Sequence, residues 1–213
     1  MVFERKNLLL YAVGGADGKE KNKFFTDLES ALKGGITCFQ LREKHLPKAE
    51  FIDEARIVKR LCEKYSVPLI INDNTEVALS CGADGVHIGQ DDGDVSEVRR
   101  IAGSRLIIGV SAHNVEEALA AEKAGADYLG CGAVFGSATK SNVHVLPLET
   151  LKNIAAAVKI PIVAIGGINE SNMMRLAGTG IDGVAVISAI FGAEDIESRC
   201  KDLKALSARI AGR

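Results

Sequence analysis

The sequence predicts an α/β fold, a single (β/α)8 TIM barrel over residues 1–213. Short apolar segments alternate with longer amphipathic ones along the whole chain, one type of helix-to-strand connection recurs, and polar residues follow the apolar segments. A length of 213 residues allows one domain with a sizeable core and lies near the lower end for such barrels. No linker rich in Pro, Ser or charge divides the chain, so one domain is expected.

Eight apolar segments rich in Val, Ile and Leu are the predicted strands, and most are continuously hydrophobic rather than alternating. That pattern is typical of parallel strands, which are buried on both faces. The strands are predicted at 8–13, 37–41, 68–72, 85–89, 106–111, 128–134, 161–165 and 183–188. Amphipathic helices are predicted at 24–33, 48–65, 74–81, 94–102, 114–124, 148–158, 170–177 and 197–211. The expected N-caps of two of these helices are Asp94 and Asn114.

The connection from a helix to the next strand is repeated. Residues 82–84 (Gly-Ala-Asp), 125–127 (Gly-Ala-Asp) and 180–182 (Gly-Ile-Asp) share one pattern, and 34–37 (Gly-Gly-Ile-Thr) is a looser copy. The glycine is expected to end the helix in a left-handed conformation before a tight turn. Repetition of one unit favours a closed ring over an open, doubly wound sheet. The open sheet would also require G-x-G-x-x-G after the first strand, and 14–18 lacks that spacing.

The overall composition limits the possible partners. A formal net charge of -2 provides no bulk field for nucleic acid or an anionic membrane, and the apolar segment 8–13 is too short to cross a bilayer. The N-terminus lacks a signal-peptide pattern, and five scattered cysteines without metal-ligand spacing indicate reduced thiols. We therefore expect a cytoplasmic protein, a monomer or small homo-oligomer, that binds small molecules and neither nucleic acid nor membrane.

Residues that could bind an anion follow the second predicted strand. In a barrel the functional residues lie on the loops after the strands. Gln40, Arg42 and Lys44 alternate along the chain, so they share one face of the emerging strand. Two cations and an amide on one face fit a polyanionic ligand. A solvated charged loop is the alternative, since Glu43 lies between the cations.

Acidic residues follow the third and fourth predicted strands. Asn72 and Asp73 end the third, and Asp91 and Asp92 come after the fourth. Carboxylates on adjacent strands can reach a common point, and Mg²⁺ is usually held by one or two carboxylates together with water and substrate phosphate. The residues alone do not decide between Asp91 and Asp92, and a helix N-cap is the alternative role of 72–73.

Two histidines and a serine lie on or just after the fourth and fifth predicted strands. Ser111 could donate a hydrogen bond to a substrate. His113 could be a general acid or base, although a histidine at a helix start is more often a cap or packing residue. His87 lies inside a strand and is expected to be a barrel histidine with both nitrogens hydrogen-bonded.

A second anion site is predicted from the last three loops. Residues 135–142 form a long polar loop with Ser137, Thr139 and Lys140. Gly167 follows the seventh strand, and a short extra helix is expected near Ser188 after the eighth. A glycine turn and such a helix are the usual phosphate site of barrels, because backbone N–H groups point at the ligand. Two phosphorylated ligands side by side imply group transfer between them.

The sequence resembles the thiamine phosphate synthase family through nearly its whole length. The order and spacing of the matching segments make the resemblance specific. The segments are 11–13 (Tyr-Ala-Val), 35–44 with its Gln-Leu-Arg-Glu-Lys string, 68–73, 82–92, 109–113, 139–140 (Thr-Lys) and 164–168.

The resemblance implies a Mg²⁺-dependent transferase that joins hydroxymethylpyrimidine diphosphate and hydroxyethylthiazole phosphate and releases diphosphate. It also implies the role of each residue. Asp73 and Asp92 would bind Mg²⁺, and Arg42, Lys44, Ser111 and Lys140 would be catalytic. The pyrimidine diphosphate would be bound by Gln40, Leu41, Arg42, Glu43, Lys44, Asn72, Ser111 and Lys140. The thiazole phosphate would be bound by Ser137, Ala138, Thr139, Gly167, Ile187 and Ser188.

Two alternative functions use similar residues. A thiazole tautomerase is a similar barrel that acts on the thiazole phosphate alone, and it would not need the diphosphate and metal residues. A barrel that binds a thiamine precursor without catalysis is the other alternative. It is favoured by the altered sixth loop, which has Ala133 and Gly136 where the family usually has prolines. The complete set of predicted metal ligands favours the synthase.

Overall fold

Eight parallel strands close into a barrel in the part of the chain that the computed structural model describes, residues 3–16, 20–136 and 145–212. The strands follow chain order, and β8 pairs with β1 to close the ring. The predicted barrel is therefore confirmed. The strands are β1 (Leu10–Gly14), β2 (Cys38–Leu41), β3 (Leu69–Asn72), β4 (Gly85–Ile88), β5 (Ile107–Ala112), β6 (Tyr128–Gly132), β7 (Ile162–Ile165) and β8 (Gly183–Val186).

Helices surround the barrel and bury their apolar faces against the strands. The predicted N-caps are confirmed, because Asp94 and Asn114 accept hydrogen bonds from the first-turn N–H groups of Ser96 and Glu117. No helix among the described residues is long and apolar enough to cross a membrane. The helices are α1 (Lys21–Lys33), α2 (Lys48–Lys64), α3 (Thr75–Cys81), α4 (Val95–Ala102), α5 (Val115–Ala124), α6 (Leu148–Ala157), α7 (Ser188–Phe191) and α8 (Ile196–Ile210).

The helix predicted over 170–177 is wrong. The structure has a single 3₁₀ turn there, Met173–Leu176. Side chains take the backbone N–H groups that a helix start would leave free: Asn172 Oδ1 accepts from Asn169 N, and Asn169 Oδ1 accepts from Ser171 N, both at 2.9 Å. Such local bonds compete with helix formation.

The repeated connection has the same function in each quarter of the barrel. Its glycine has a positive φ in all four copies, as predicted. The residue just before each even-numbered strand then accepts a hydrogen bond from a backbone N–H near the start of the preceding strand. The pairs are Asp84 with Leu69 at 2.8 Å, Asp127 with Ile108 at 2.7 Å, Asp182 with Ile162 at 3.0 Å and Thr37 with Leu10 at 2.9 Å.

These connections tie the amino-terminal end of the barrel together. Each of the three aspartates also pairs with a cation, which holds its carboxylate in place. The ion pairs are Lys59 with Asp84, Arg99 with Asp127 and Arg5 with Asp182. The amino-terminal end is therefore occupied by structural ion pairs, and the carboxyl-terminal end is available for function.

Candidate active site at the carboxyl-terminal end of the barrel

Gln40 and Arg42 leave β2 in different environments. The Gln40 side chain is buried in the barrel interior, and its Nε2 donates to Tyr11 Oη at 2.8 Å. Arg42 N donates to Gly14 O at 2.8 Å, which continues the β1–β2 ladder one step beyond the strand. Arg42 is half-buried, while Lys44, two residues later, is exposed. An amide and two cations thus follow one another from the barrel interior to its mouth.

Glu43 lies beside a second carboxyl group in the helical layer. The carboxyl of Glu54 on α2 is buried, and Lys21 Nζ lies 3.4 Å from its Oε2. Burial is the largest cause that raises the pKa of Glu54 to about 7, and the nearby carboxyl of Glu43 contributes in the same direction. The side chain of Glu43 therefore turns away from the face that Gln40 and Arg42 share.

Asp73 and Asp92 come together across the ends of β3 and β4. Burial raises the pKa of Asp73 to about 6, and the neighbouring Asp92 carboxyl is the second cause. Asn72, through a hydrogen bond, and the positive charge of Arg42 act in the opposite direction on the same pKa. Asp92 Oδ2 also accepts from Gly89 N at 2.9 Å, which fixes its carboxylate.

The backbone at Asp73 has a left-handed conformation, with φ at 61°. Its N–H donates to His87 O at 2.8 Å, so the strand pairing between β3 and β4 continues to this residue. Aspartate tolerates this conformation better than most residues do. Within the described ranges no cluster of three or more His, Cys, Asp or Glu side chains could hold a metal. A cation at Asp73 and Asp92 would thus have two carboxylates, with its other positions left for water and phosphate oxygens.

His87 hydrogen-bonds through both ring nitrogens, as predicted. Its Nδ1 lies 3.0 Å from Tyr128 Oη and its Nε2 lies 3.1 Å from Ser111 Oγ. Burial lowers the pKa of His87 to about 4, so the ring is neutral at neutral pH. Tyr128 Oη in turn lies 2.8 Å from Tyr11 Oη, which accepts from Gln40.

This chain of hydrogen bonds crosses the barrel from Gln40 to Ser111. The contributions of Tyr11 and Tyr128 to this chain were not predicted from the sequence. Two tyrosines inside predicted buried strands are the signal that could have found them, because a buried hydroxyl needs a partner. The histidine considered for catalysis, His113, bonds to Glu117 at the start of α5 through its Nδ1 at 2.9 Å and its backbone N at 2.8 Å. It lies just before the N-cap Asn114, so these bonds belong to the start of the helix.

The predicted thiazole-phosphate residues fall on the loops after β6, β7 and β8. Gly167 has a φ of 65°, and a side chain there would overlap Gly136 O and lie 2.9 Å from Phe135 O. The start of the sixth loop therefore packs directly on the glycine turn after β7. Ile187 is 46% exposed at the mouth, and α7 begins at Ser188 as the sequence predicts. The predicted site residues Ser137, Ala138, Thr139 and Lys140 lie outside the described residues.

The fold and these loops define a class of protein. A closed (β/α)8 barrel with cationic, acidic and glycine-rich loops at its carboxyl-terminal end is the arrangement of barrel enzymes that act on phosphorylated substrates. Residues 10–190 match the family model described as thiamine monophosphate synthase. The chain belongs to this family, which the resemblance had predicted.

Individual relatives agree with the family model over nearly the full chain. The thiamine-phosphate synthase of Clostridium tetani is 48% identical over 203 residues, which are 94% of this chain and 97% of that protein. The thiamine-phosphate synthase of Clostridium acetobutylicum is 46% identical over 90% of this chain and 91% of its own length. The structure of thiamine phosphate pyrophosphorylase from Pyrococcus furiosus superimposes with a TM-score of 0.86 at 38% identity and covers 97% of this chain and 98% of that one. The predicted transferase activity, that of a thiamine-phosphate synthase, is confirmed.

Proposed function

We propose that this chain joins hydroxymethylpyrimidine diphosphate to hydroxyethylthiazole phosphate, giving thiamine phosphate and diphosphate, with Mg²⁺ as cofactor. The observation that carries the proposal is the close pair of Asp73 and Asp92 carboxyls across the ends of β3 and β4, on the side of the barrel where Arg42 follows β2. The two carboxylates could bind a divalent metal ion, and the arginine could bind the diphosphate that accompanies this ion. The single phosphate of the thiazole would then lie against the loops after β6, β7 and β8.

The residues at the proposed metal site fit Mg²⁺. Two carboxylates in mutual hydrogen-bond range repel each other when ionised, and the raised pKa of Asp73 reflects this together with burial. A divalent cation between Asp73 and Asp92 would remove the repulsion. When bound, Mg²⁺ would supply positive charge to the diphosphate oxygens as they become a leaving group.

Arg42, Lys44 and Lys140 would stabilise the leaving diphosphate. In the reaction the C–O bond to the pyrimidine methylene breaks and its electron pair goes to the diphosphate, and the thiazole ring nitrogen then bonds to that carbon. The amino group of the pyrimidine delocalises the positive charge that develops on the ring. Groups that stabilise developing charge in a preorganised site commonly give the largest contribution to catalysis. The cationic side chains that follow β2 fit this task.

The reaction needs no general base, because the attacking aromatic nitrogen carries no proton. His87 is a poor proton acceptor, because its pKa is lowered to about 4 and both of its ring nitrogens are hydrogen-bonded, and His113 is bonded to Glu117. Gln40, Leu41, Asn72 and Ser111 would hold and orient the pyrimidine diphosphate, and Glu43 is left out of this role because its carboxyl lies beside that of Glu54. Gly167, Ile187, Ser188 and the segment 137–139 would anchor the thiazole phosphate. Holding both rings in line supplies the proximity that the displacement requires.

We further propose that residues 1–213 form one barrel domain that works in the cytoplasm, as a monomer or small homo-oligomer with small-molecule substrates. The five cysteines are buried and unpaired, which supports a reducing compartment. Helix α8 packs against α1 and β1, so the last helix closes the same barrel that the first strand begins.

The proposal is tested by incubating the purified protein with both precursors, with and without Mg²⁺, and measuring thiamine phosphate by mass spectrometry. Product is expected only when Mg²⁺ is present, and its absence under both conditions contradicts the proposed reaction. Arg42→Ala should lower turnover roughly 100-fold, as the loss of other preorganised charge contacts does. Arg60→Ala, an exposed arginine of α2, is the matched control and should keep the parent rate.

A further inference from the structure

We infer that Tyr11, Tyr128 and His87 are positioning residues that join Gln40 and Ser111 in one polarised hydrogen-bond chain, so that the Ser111 hydroxyl proton points outward to the pyrimidine. The inference rests on the proposed function, in which Gln40 and Ser111 contact the pyrimidine. Tyr11, Tyr128 and His87 would not touch the substrate, and they would orient the pyrimidine ring through Gln40 and Ser111.

The chain is continuous across the barrel interior. Gln40 Nε2 lies 2.8 Å from Tyr11 Oη, and Tyr11 Oη lies 2.8 Å from Tyr128 Oη. Tyr128 Oη lies 3.0 Å from His87 Nδ1, and His87 Nε2 lies 3.1 Å from Ser111 Oγ. The five residues come from β1, β2, β4, β5 and β6, so the chain connects strands on both sides of the barrel.

The donor at one end fixes the first bond, because an amide Nε2 can only donate and Tyr11 Oη therefore accepts from Gln40. Either hydroxyl could donate in the Tyr11–Tyr128 pair, and the inference assigns the donor role to Tyr11, whose own proton then goes to Tyr128. Tyr128 accepts that bond and donates to His87 Nδ1, which must therefore carry no proton. A neutral ring with a free Nδ1 has its proton on Nε2 and donates to Ser111 Oγ. The hydroxyl proton of Ser111 is then left to point toward the mouth as a donor.

Glycines on β5 and β6 leave the space that the rings of Tyr128 and His87 occupy. A side chain at Gly109 would overlap Tyr128 Cζ and place its Cβ 2.5 Å from His87 Nδ1. At Gly130 a Cβ would lie 2.8 Å from His87 Cε1. The interior of such barrels is normally filled by branched apolar residues, which these two glycines cannot supply. The rings of Tyr128 and His87 occupy this space instead.

The hydroxyl groups need an explanation beyond packing. Tyr11 is 1% and Tyr128 is 0% exposed, and phenylalanine would fill either space without a polar atom to desolvate. A fully connected polar network rigidifies a core and specifies one arrangement of its members. Here the network ends on Gln40 and Ser111, the two side chains proposed to contact the pyrimidine, and it fixes which of their atoms donate and which accept. Tyr11 and Tyr128 therefore orient the pyrimidine through Gln40 and Ser111.

Nitrogen-15 NMR of histidine-labelled protein tests the direction of the chain without any measurement of activity. The His87 resonances are assigned by their loss in His87→Asn. The wild-type ring should show a protonated Nε2 and an unprotonated Nδ1. Tyr128→Phe removes the donor to Nδ1 and should give a mixture of the two tautomers. An Nδ1–H tautomer in the wild-type protein means that the chain runs the other way and overturns the inference.

Steady-state kinetics test the positioning role. Tyr11→Phe and Tyr128→Phe should raise the KM for the pyrimidine diphosphate roughly three- to ten-fold, as expected for one lost hydrogen bond. The KM for the thiazole phosphate should stay the same. Tyr65→Phe is the matched control, since its hydroxyl bonds to Glu29 between the outer helices at 3.0 Å. Circular dichroism confirms that each variant is folded.

Two kinetic outcomes contradict the positioning role. Either both KM values change together in the folded Tyr11→Phe and Tyr128→Phe variants, or neither value changes. Failure of the proposed reaction is a different result, because a wild-type protein that forms no product still reports the His87 tautomer by NMR.

Discussion

Glu54 offers a direct test of the electrostatics behind the loop after β2. Its carboxyl is buried on α2, beside the carboxyl of Glu43 and 3.4 Å from Lys21 Nζ. Replacement by glutamine keeps the shape of the side chain and removes its charge. The amide can donate to the Glu43 carboxylate, which the ionised Glu54 cannot do. We expect Glu54→Gln to be more stable than the wild type above pH 7.

The magnitude follows from the pKa. The folded-state pKa of Glu54 is about 7, against an ordinary value of 4.5. Well below pH 4.5 the Glu54 carboxyl is protonated in both the folded and the unfolded states, so its ionisation does not change the free energy of unfolding. As the pH rises from 4.5 to 7 the unfolded chain loses this proton first, so the free energy of unfolding falls. At about 1.4 kcal/mol per pH unit this loss of stability reaches at most roughly 3.5 kcal/mol, and about 1–3 kcal/mol is the expected range.

Urea unfolding followed by circular dichroism at pH 5, 6.5 and 8 measures this difference. The free energy of unfolding of the wild type should fall relative to Glu54→Gln between pH 5 and 8, and both proteins share every other titrating group. Glu50→Gln, an exposed glutamate on the same helix, is the matched control and should follow the wild type. Parallel curves for the wild type and Glu54→Gln would refute the assignment of a buried, protonated carboxyl.

Three further changes test other parts of the structure. Asp92→Ala should reduce Mg²⁺-dependent turnover far more than Asp91→Ala, because Asp92 is the carboxylate beside Asp73; equal losses in the product assay contradict the metal assignment. His113→Ala should keep substantial activity, and a folded variant that loses the roughly 100-fold typical of a missing general acid or base shows that proton transfer matters. Asp182→Ala should lower the free energy of unfolding in urea by roughly 1–3 kcal/mol, because it leaves the buried Ile162 N–H without its carboxylate; an unchanged midpoint would count against the role of the repeated connection.

Local sequence patterns predicted the features that depend on neighbouring residues. The continuous apolar strands, the capping by Asp94 and Asn114 and the left-handed glycines follow from interactions within a few positions along the chain. Local information also explains the one wrong helix, at 170–177, since helical periodicity was present but nearby asparagines bind the backbone themselves.

The repeated helix-to-strand connection was predicted only in part from the sequence. Its recurrence predicted a closed ring of similar units, which the barrel confirms. The reason that three of its copies contain aspartate became visible only in the structure, where each carboxylate accepts from a backbone N–H at the start of the preceding strand. That contact spans 15 to 20 residues, so no local pattern reports it.

By itself the sequence determined the barrel, its family and which strand ends carry polar residues, because these depend on periodicity and on the order of motifs. The tertiary structure alone decided which side chains meet. Asp73 lies beside Asp92, Glu43 turns to Glu54, and Tyr11 lies 2.8 Å from Tyr128 across 117 positions of the chain. The physical reason is that closure of the barrel brings the ends and interiors of distant strands together, and the hydrogen bonds and pKa values of the site arise from those contacts.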